Sequence, residues 1–215
     1  MVFRTKVLPV IALAAALTGC AREGELVVAQ GVGITAVLTT CPSVGIPDFT
    51  GDVTTFQGTD PIASALDVSA AMTNLRSNCS ESGENVYSEA TFDVIARREN
   101  TNGARSVTLP YFVTVLRGGS AVVTKRVGEV TLNFADGEAR AQASGKAGSF
   151  VNRASATLPE DIRERITRRR RPGDVDAALD PLADNEVKAA IARTRYEMLV
   201  GFQLTEDQLK YNVTR

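Results

Sequence analysis

Histidine and tryptophan are absent from the 215 residues, aromatic residues make up 6%, and cysteine occurs three times. Without histidine the chain cannot build a His-based catalytic triad or the common His-ligated metal sites. Without tryptophan, and with few rings, a core has to be assembled from Val, Leu, Ile and Ala. The sequence also lacks a GxSxG elbow, an SxxK pair and a Walker loop. Nor is there an excess of one charge: 24 basic residues face 25 acidic ones. A chain this close to neutral has no electrostatic case for nucleic acid. A bilayer-spanning apolar run is missing too, since the stretch from Val7 to Leu17 falls well short of about 20 residues.

That short run is nevertheless the most informative part of the chain. Arg4 and Lys6 form a positive head, Val7 to Leu17 an apolar centre interrupted only by Pro9, and Leu17-Thr18-Gly19-Cys20 a close of small residues ending in cysteine. Residues 1–20 resemble bacterial lipoprotein signals, with Leu17 to Cys20 as the lipobox. The resemblance implies cleavage before Cys20, a diacylglyceryl thioether on its sulfur and an acyl group on its new amino terminus. At ~0.8 kcal/mol per buried methylene, several acyl chains make a stable anchor where one is marginal. Ala21 and Arg22 follow, and the absence of Asp after the lipid-bearing cysteine favours the periplasmic face of the outer membrane. Beyond residue 20 the chain resembles uncharacterised lipoproteins of Gram-negative envelopes only in general character, and no functional residue carries over.

The expected organisation is a signal at 1–19, a tether at 20–30 and a single β-sandwich domain at 31–215 that includes a helical insertion at 158–195. The exported part, about 195 residues, is long enough for one substantial core. Cys41 and Cys79 remain once Cys20 carries lipid. In an oxidising compartment the pair is expected to bond, and closing a loop of roughly 39 residues stabilises by ~4 kcal/mol in the chain-entropy model. The alternative is two buried free thiols. Two cysteines this far apart, without histidine, do not make a zinc site.

Period-two patterning dominates the middle of the chain. Strands are expected at Ile34–Thr40, Val53–Phe56, Leu66 to Cys79, Phe92 to Arg97, Val107 to Val115, Val122–Val127, Val130–Phe134 and Ala139–Ser144. Gly118-Gly119 marks a turn, Asp136-Gly137 reads as a hairpin, and Pro110 argues for an edge or a bulge. Regular spacing and Gly-containing turns indicate a mainly β, antiparallel sandwich of immunoglobulin or fibronectin type. The period then lengthens. Thr157 to Glu160 fits a capping box opening a helix that runs to about Arg170. Asp180-Pro181 suits the start of a second helix, with Val187, Ala190, Ile191 and Thr194 on one face. Tyr196 to Leu204 alternates as a last strand, and Thr205 with Gln208 caps a terminal helix.

Three patterns suggest chemistry. Gly31-Val32-Gly33-Ile34-Thr35-Ala36 matches a relaxed dinucleotide fingerprint, but strand composition follows where a helix is needed, so no cofactor is expected. Asp174, Asp176, Asp180, Asp184 and Glu186 offer oxygen ligands, yet Ala178 and Leu179 occupy positions a calcium loop needs, and helix capping explains the acids better. Arg168, Arg169, Arg170 and Arg171 form the sharpest local charge. They read either as an anion contact, to lipid phosphate or an acidic partner, or as a helix C-terminus balanced by the acids that follow. The adjacent acids favour the second. The leading expectation is a non-enzymatic interaction or envelope-maintenance module on a lipid anchor, its partner an unidentified protein or envelope component. The alternative is a periplasmic hydrolase or lyase of envelope glycan, which needs paired carboxylates in a cleft.

Overall fold

A computed structural model describes residues 39–215, apart from Thr59 and Ser82. The signal, Cys20, the tether and most of the expected strand at Ile34–Thr40 lie outside the described residues; Thr39 and Thr40, its described end, belong to no strand. Among the described residues no helix is long and apolar enough to cross a membrane.

The chain forms a sandwich of two four-stranded sheets. One has the order β1 (Ser43–Gly45), β8 (Tyr196–Phe202), β5 (Arg105–Arg117), β6 (Ala121–Phe134). The other runs β2 (Asp52–Phe56), β3 (Leu66–Ser80), β4 (Asn85–Arg98), β7 (Arg140–Asn152). Short β1 pairs parallel with β8, and every other pairing is antiparallel. The two-residue period explains the layers: in β4, Val86, Ser88, Ala90, Phe92, Val94, Ala96 and Arg98 are buried while the residues between them face out. Leu109, Val113 and Val115 of β5, Leu132 and Phe134 of β6, and Met198 and Val200 of β8 meet them from the opposite sheet. Each such side chain contributes ~1.5–3 kcal/mol when fully buried. Tyr111 bridges the layers, packing edge-on against Phe92 with centroids 5.1 Å apart and donating its hydroxyl to the Lys146 carbonyl at 2.8 Å. Gly145, opposite Phe92 in β7, is required there because a Cβ would overlap the Phe92 ring.

Two turn expectations need correction. Asp136-Gly137 does not close a hairpin: β6 and β7 belong to different sheets, and the turn carries the chain across the sandwich. Its chemistry is still that of a tight reversal, with Gly137 at φ 79° and the Asp136 carboxylate accepting from the Gly103 amide at 2.6 Å. Pro110 sits in a central strand, not at an edge or bulge. Phe202, the last residue of β8, pairs with Tyr111, so the N–H that proline lacks falls beyond that strand. The Pro110 carbonyl, on the same side, accepts from Gln203 N at 2.9 Å.

Between β7 and β8 lie α1 (Arg153–Ala156), α2 (Glu160–Thr167) and α3 (Asn185–Thr194), with the longer pair, α2 and α3, packed around Ile162, Ile166, Val187 and Ala190 as a second small core. Here the caps differ from expectation. Thr157 ends α1, donating its hydroxyl to the Arg153 carbonyl at 2.7 Å, and Pro159 precedes α2 with no side-chain cap. Helix α2 stops at Thr167 rather than about Arg170. Asp180 caps only the 3-10 turn Pro181–Ala183; Asp184 caps α3, accepting from Glu186 N and Val187 N at 2.8 and 3.3 Å. The Thr205–Gln208 capping box opens α4 (Glu206–Thr214) as expected, and Asn212 then pins α4 to the Phe49 and Asp52 carbonyls.

Candidate functional site

The first chemically marked region is the corner where the described chain begins. Cys41 lies just before β1 in one sheet and Cys79 near the end of β3 in the other. They are disulfide-bonded, with Cα atoms 6.1 Å apart. The bond therefore fastens the incoming chain to both layers. Thr39 adds a polar tie, its hydroxyl donating to the Glu81 carboxylate at 2.8 Å and accepting from the Cys41 amide at 3.0 Å. That hydroxyl holds the Glu81 pKa below the ordinary value. A cleft of about 440 Å³ beside this corner is lined by Pro42, Leu158, Arg163, Ile191 and Tyr196.

The second region is the helical lobe, where residues 160–186 carry six arginines and eight carboxylates. Part of the two sets pairs off, Arg163 with Glu160 among them. Arg165 reaches Asp184 at 2.9 Å and Glu186 at 2.7 Å; Arg168 pairs with Asp176. Arg170 is buried, its guanidinium 3.3 Å from Asp176 and donating to the Arg165 carbonyl at 3.0 Å, one of the last carbonyls of α2. The Arg171 amide donates to Asp174 at 2.8 Å. Of the carboxylates around the hollow of about 900 Å³ lined by Arg165, Arg168 and Arg170, Asp176 and Asp184 accept from these arginines. Backbone N–H groups of Val187 and Glu186, then Arg165, lower the Asp184 pKa. Partial desolvation pushes Asp176 up, but the charge of Arg168 and hydrogen bonds from Arg170 and Arg168 outweigh it. Ionised and paired, Asp176 and Asp184 do not hold the proton that a general acid must deliver.

The third region was not legible in the sequence. The outer face of the β2-β3-β4-β7 sheet carries a shallow hollow of about 870 Å³ lined by Ser69, Ala71, Ile95, Arg97, Arg140 and Arg215, among others. Arg97 and Arg140 are direct partners in the β4–β7 ladder. Arg215, at the end of α4, pairs with Asp52 across the rim. Further along the same face Lys146 meets Glu89 at 2.6 Å, and Asp93 accepts from Asn74 and Ser144. Only strand register brings Arg97 and Arg140 together, and β4 and β7 are separated by a hairpin, so local pattern carried no signal of the pair.

Among the described residues no group of three or more His, Cys, Asp or Glu side chains could hold a metal ion. Asp180 and Asp184 cap helical turns, Asp176, Asp184 and Glu186 pair with arginine, and Asp174 accepts from the Arg171 amide. No family model, curated protein or solved structure matches the chain.

Proposed function

We propose that the chain is an exported lipoprotein, held by acyl chains on Cys20 at the periplasmic face of the outer membrane and acting as a non-enzymatic interaction module of the envelope. The observation that carries this reading is the Cys41–Cys79 bond at the corner where the described chain begins. Disulfides persist in oxidising compartments, which fits the export signal read at residues 1–20. The bond also sits where an anchored protein needs it. Without it, the chain after Thr39 is held to the first sheet chiefly by the three-residue strand β1. With it, a pull from the anchor is shared between both sheets. The ion-paired carboxylates of the helical lobe suit a scaffold better than a hydrolase.

The test is Cys20→Ser in the full chain, expressed in a Gram-negative host with labelled palmitate. The parent is expected to incorporate label, to shorten by the signal and to sediment with outer membrane. The variant is expected to do none of these. A variant that matures and sediments like the parent overturns the anchor, and free Cys41 and Cys79 thiols in the extracted parent overturn the oxidising compartment.

A further inference from the structure

We propose that the hollow on the outer face of the β2-β3-β4-β7 sheet is a binding site for an extended acidic peptide, whose carboxylate bridges Arg97 and Arg140. This inference stands independently of the anchor. Arg97 and Arg140 are directly opposed on adjacent strands with both side chains turned outward. Like charges in that position are unfavourable, whereas Lys146, further along the same face, is met by Glu89. Arg140 has no ion-pair partner among the described residues, and Arg97 reaches only Glu99, at 3.6 Å with both side chains largely exposed. A carboxylate set between the two guanidiniums relieves the repulsion and accepts from two forked donors.

The floor decides what else the ligand carries. Ser69 and Ala71 keep it low, and Ile95, 48% exposed, gives an apolar contact beside the charges. No aromatic ring lines the hollow, so a sugar or a base has no platform on which to stack. A carboxylate and an aliphatic side chain two residues apart match both features, since an extended peptide turns alternate side chains to the same face at the spacing of the sheet.

A fluorescein-labelled peptide of repeating Glu-Ser-Val-Ser, which turns Glu and Val to one face when extended, is the probe, titrated against the full chain in detergent. Its Gln-for-Glu analogue is the control, and unlabelled polyuronate and polyphosphate are the competitors. Binding of the Glu peptide that weakens as salt rises is expected, with none by the analogue. Arg97→Gln with Arg140→Gln should weaken it at least tenfold while the unfolding midpoint stays equal to the parent's or rises. Ala71→Phe, which fills the floor and keeps both charges, should weaken it comparably in protein shown to be folded. No binding of the Glu peptide, undiminished binding by either variant, or a lower midpoint in the double arginine variant overturns the proposal. So does displacement of the peptide by polyuronate or polyphosphate at lower concentrations than by unlabelled peptide.

Discussion

Arg98 and the run Arg168–Arg171 present the same side chain under opposite conditions. Arg98 ends an ordinary alternating strand and attracts no notice in the sequence, yet it is 1% exposed. Its guanidinium donates to the carbonyls of Glu138, Thr101 and Ala135 at 2.8–2.9 Å and lies 5.2 Å from the centre of the Phe134 ring. One side chain thus ties the β4–β5 and β6–β7 crossings at the end of the sandwich away from α1, α2 and α3. The run at 168–171 is conspicuous, but of its guanidiniums Arg170 alone is buried, and Arg168 shares Asp176 with it at the surface of a lobe with a small core. The difference lies in what replaces water. A buried donor set that leaves is not replaced, whereas solvent takes the place of a lost surface pair.

Arg98→Met removes three hydrogen bonds made by a buried, charged guanidinium; at ~1.5–3 kcal/mol for a bond to a charged group, the variant should lose at least ~3 kcal/mol in urea unfolding. A loss below ~1 kcal/mol would remove the distinction between the two arginine classes. The next effect belongs to the disulfide. Cys41→Ala with Cys79→Ala should cost ~2–4 kcal/mol, and hydrogen exchange should show residues 39–45 opening first, because β1 then lacks its covalent tie.

An intermediate case is Asp67, largely covered and bound to half-exposed Arg105 through two contacts of 2.6 and 2.7 Å. The Arg105 guanidinium holds the Asp67 pKa below its ordinary value. A lowered folded pKa means the pair stabilises fully above the unfolded value of about 4 and is lost as pH falls through the lower folded one. Asp67→Asn should therefore narrow the stability gap between pH 7 and pH 3 relative to the parent, by ~1 kcal/mol. An unchanged gap refutes the linkage. Smallest is Arg168→Gln, a surface pair, at under ~1 kcal/mol, with the parent showing no salt-sensitive binding to anionic vesicles. Binding that the Arg168–Arg171 Gln variant abolishes would instead make the run a working surface.

The strands and the sandwich class were legible because burial on one face imposes a two-residue period that needs no knowledge of partners. The helix pair was legible by its apolar spacing, and Ile162, Ile166, Val187 and Ala190 do form its core. The cysteine pairing followed from counting. What failed was partner choice. Asp136-Gly137 said that the chain turns, not which sheet it turns into. Asp180 and Asp184 are alike as residues, and only the packing of α3 selected Asp184 as its cap.

By itself the sequence determined the mainly β architecture, the position of the helices and the absence of histidine chemistry, since composition and periodicity are properties of neighbours along the chain. Tertiary structure alone decided that Arg98 is buried and that Arg97 faces Arg140. Each of those depends on strand register or on a chain crossing between layers. Contacts between residues distant in sequence are set by the balance of the whole core, which no local pattern records.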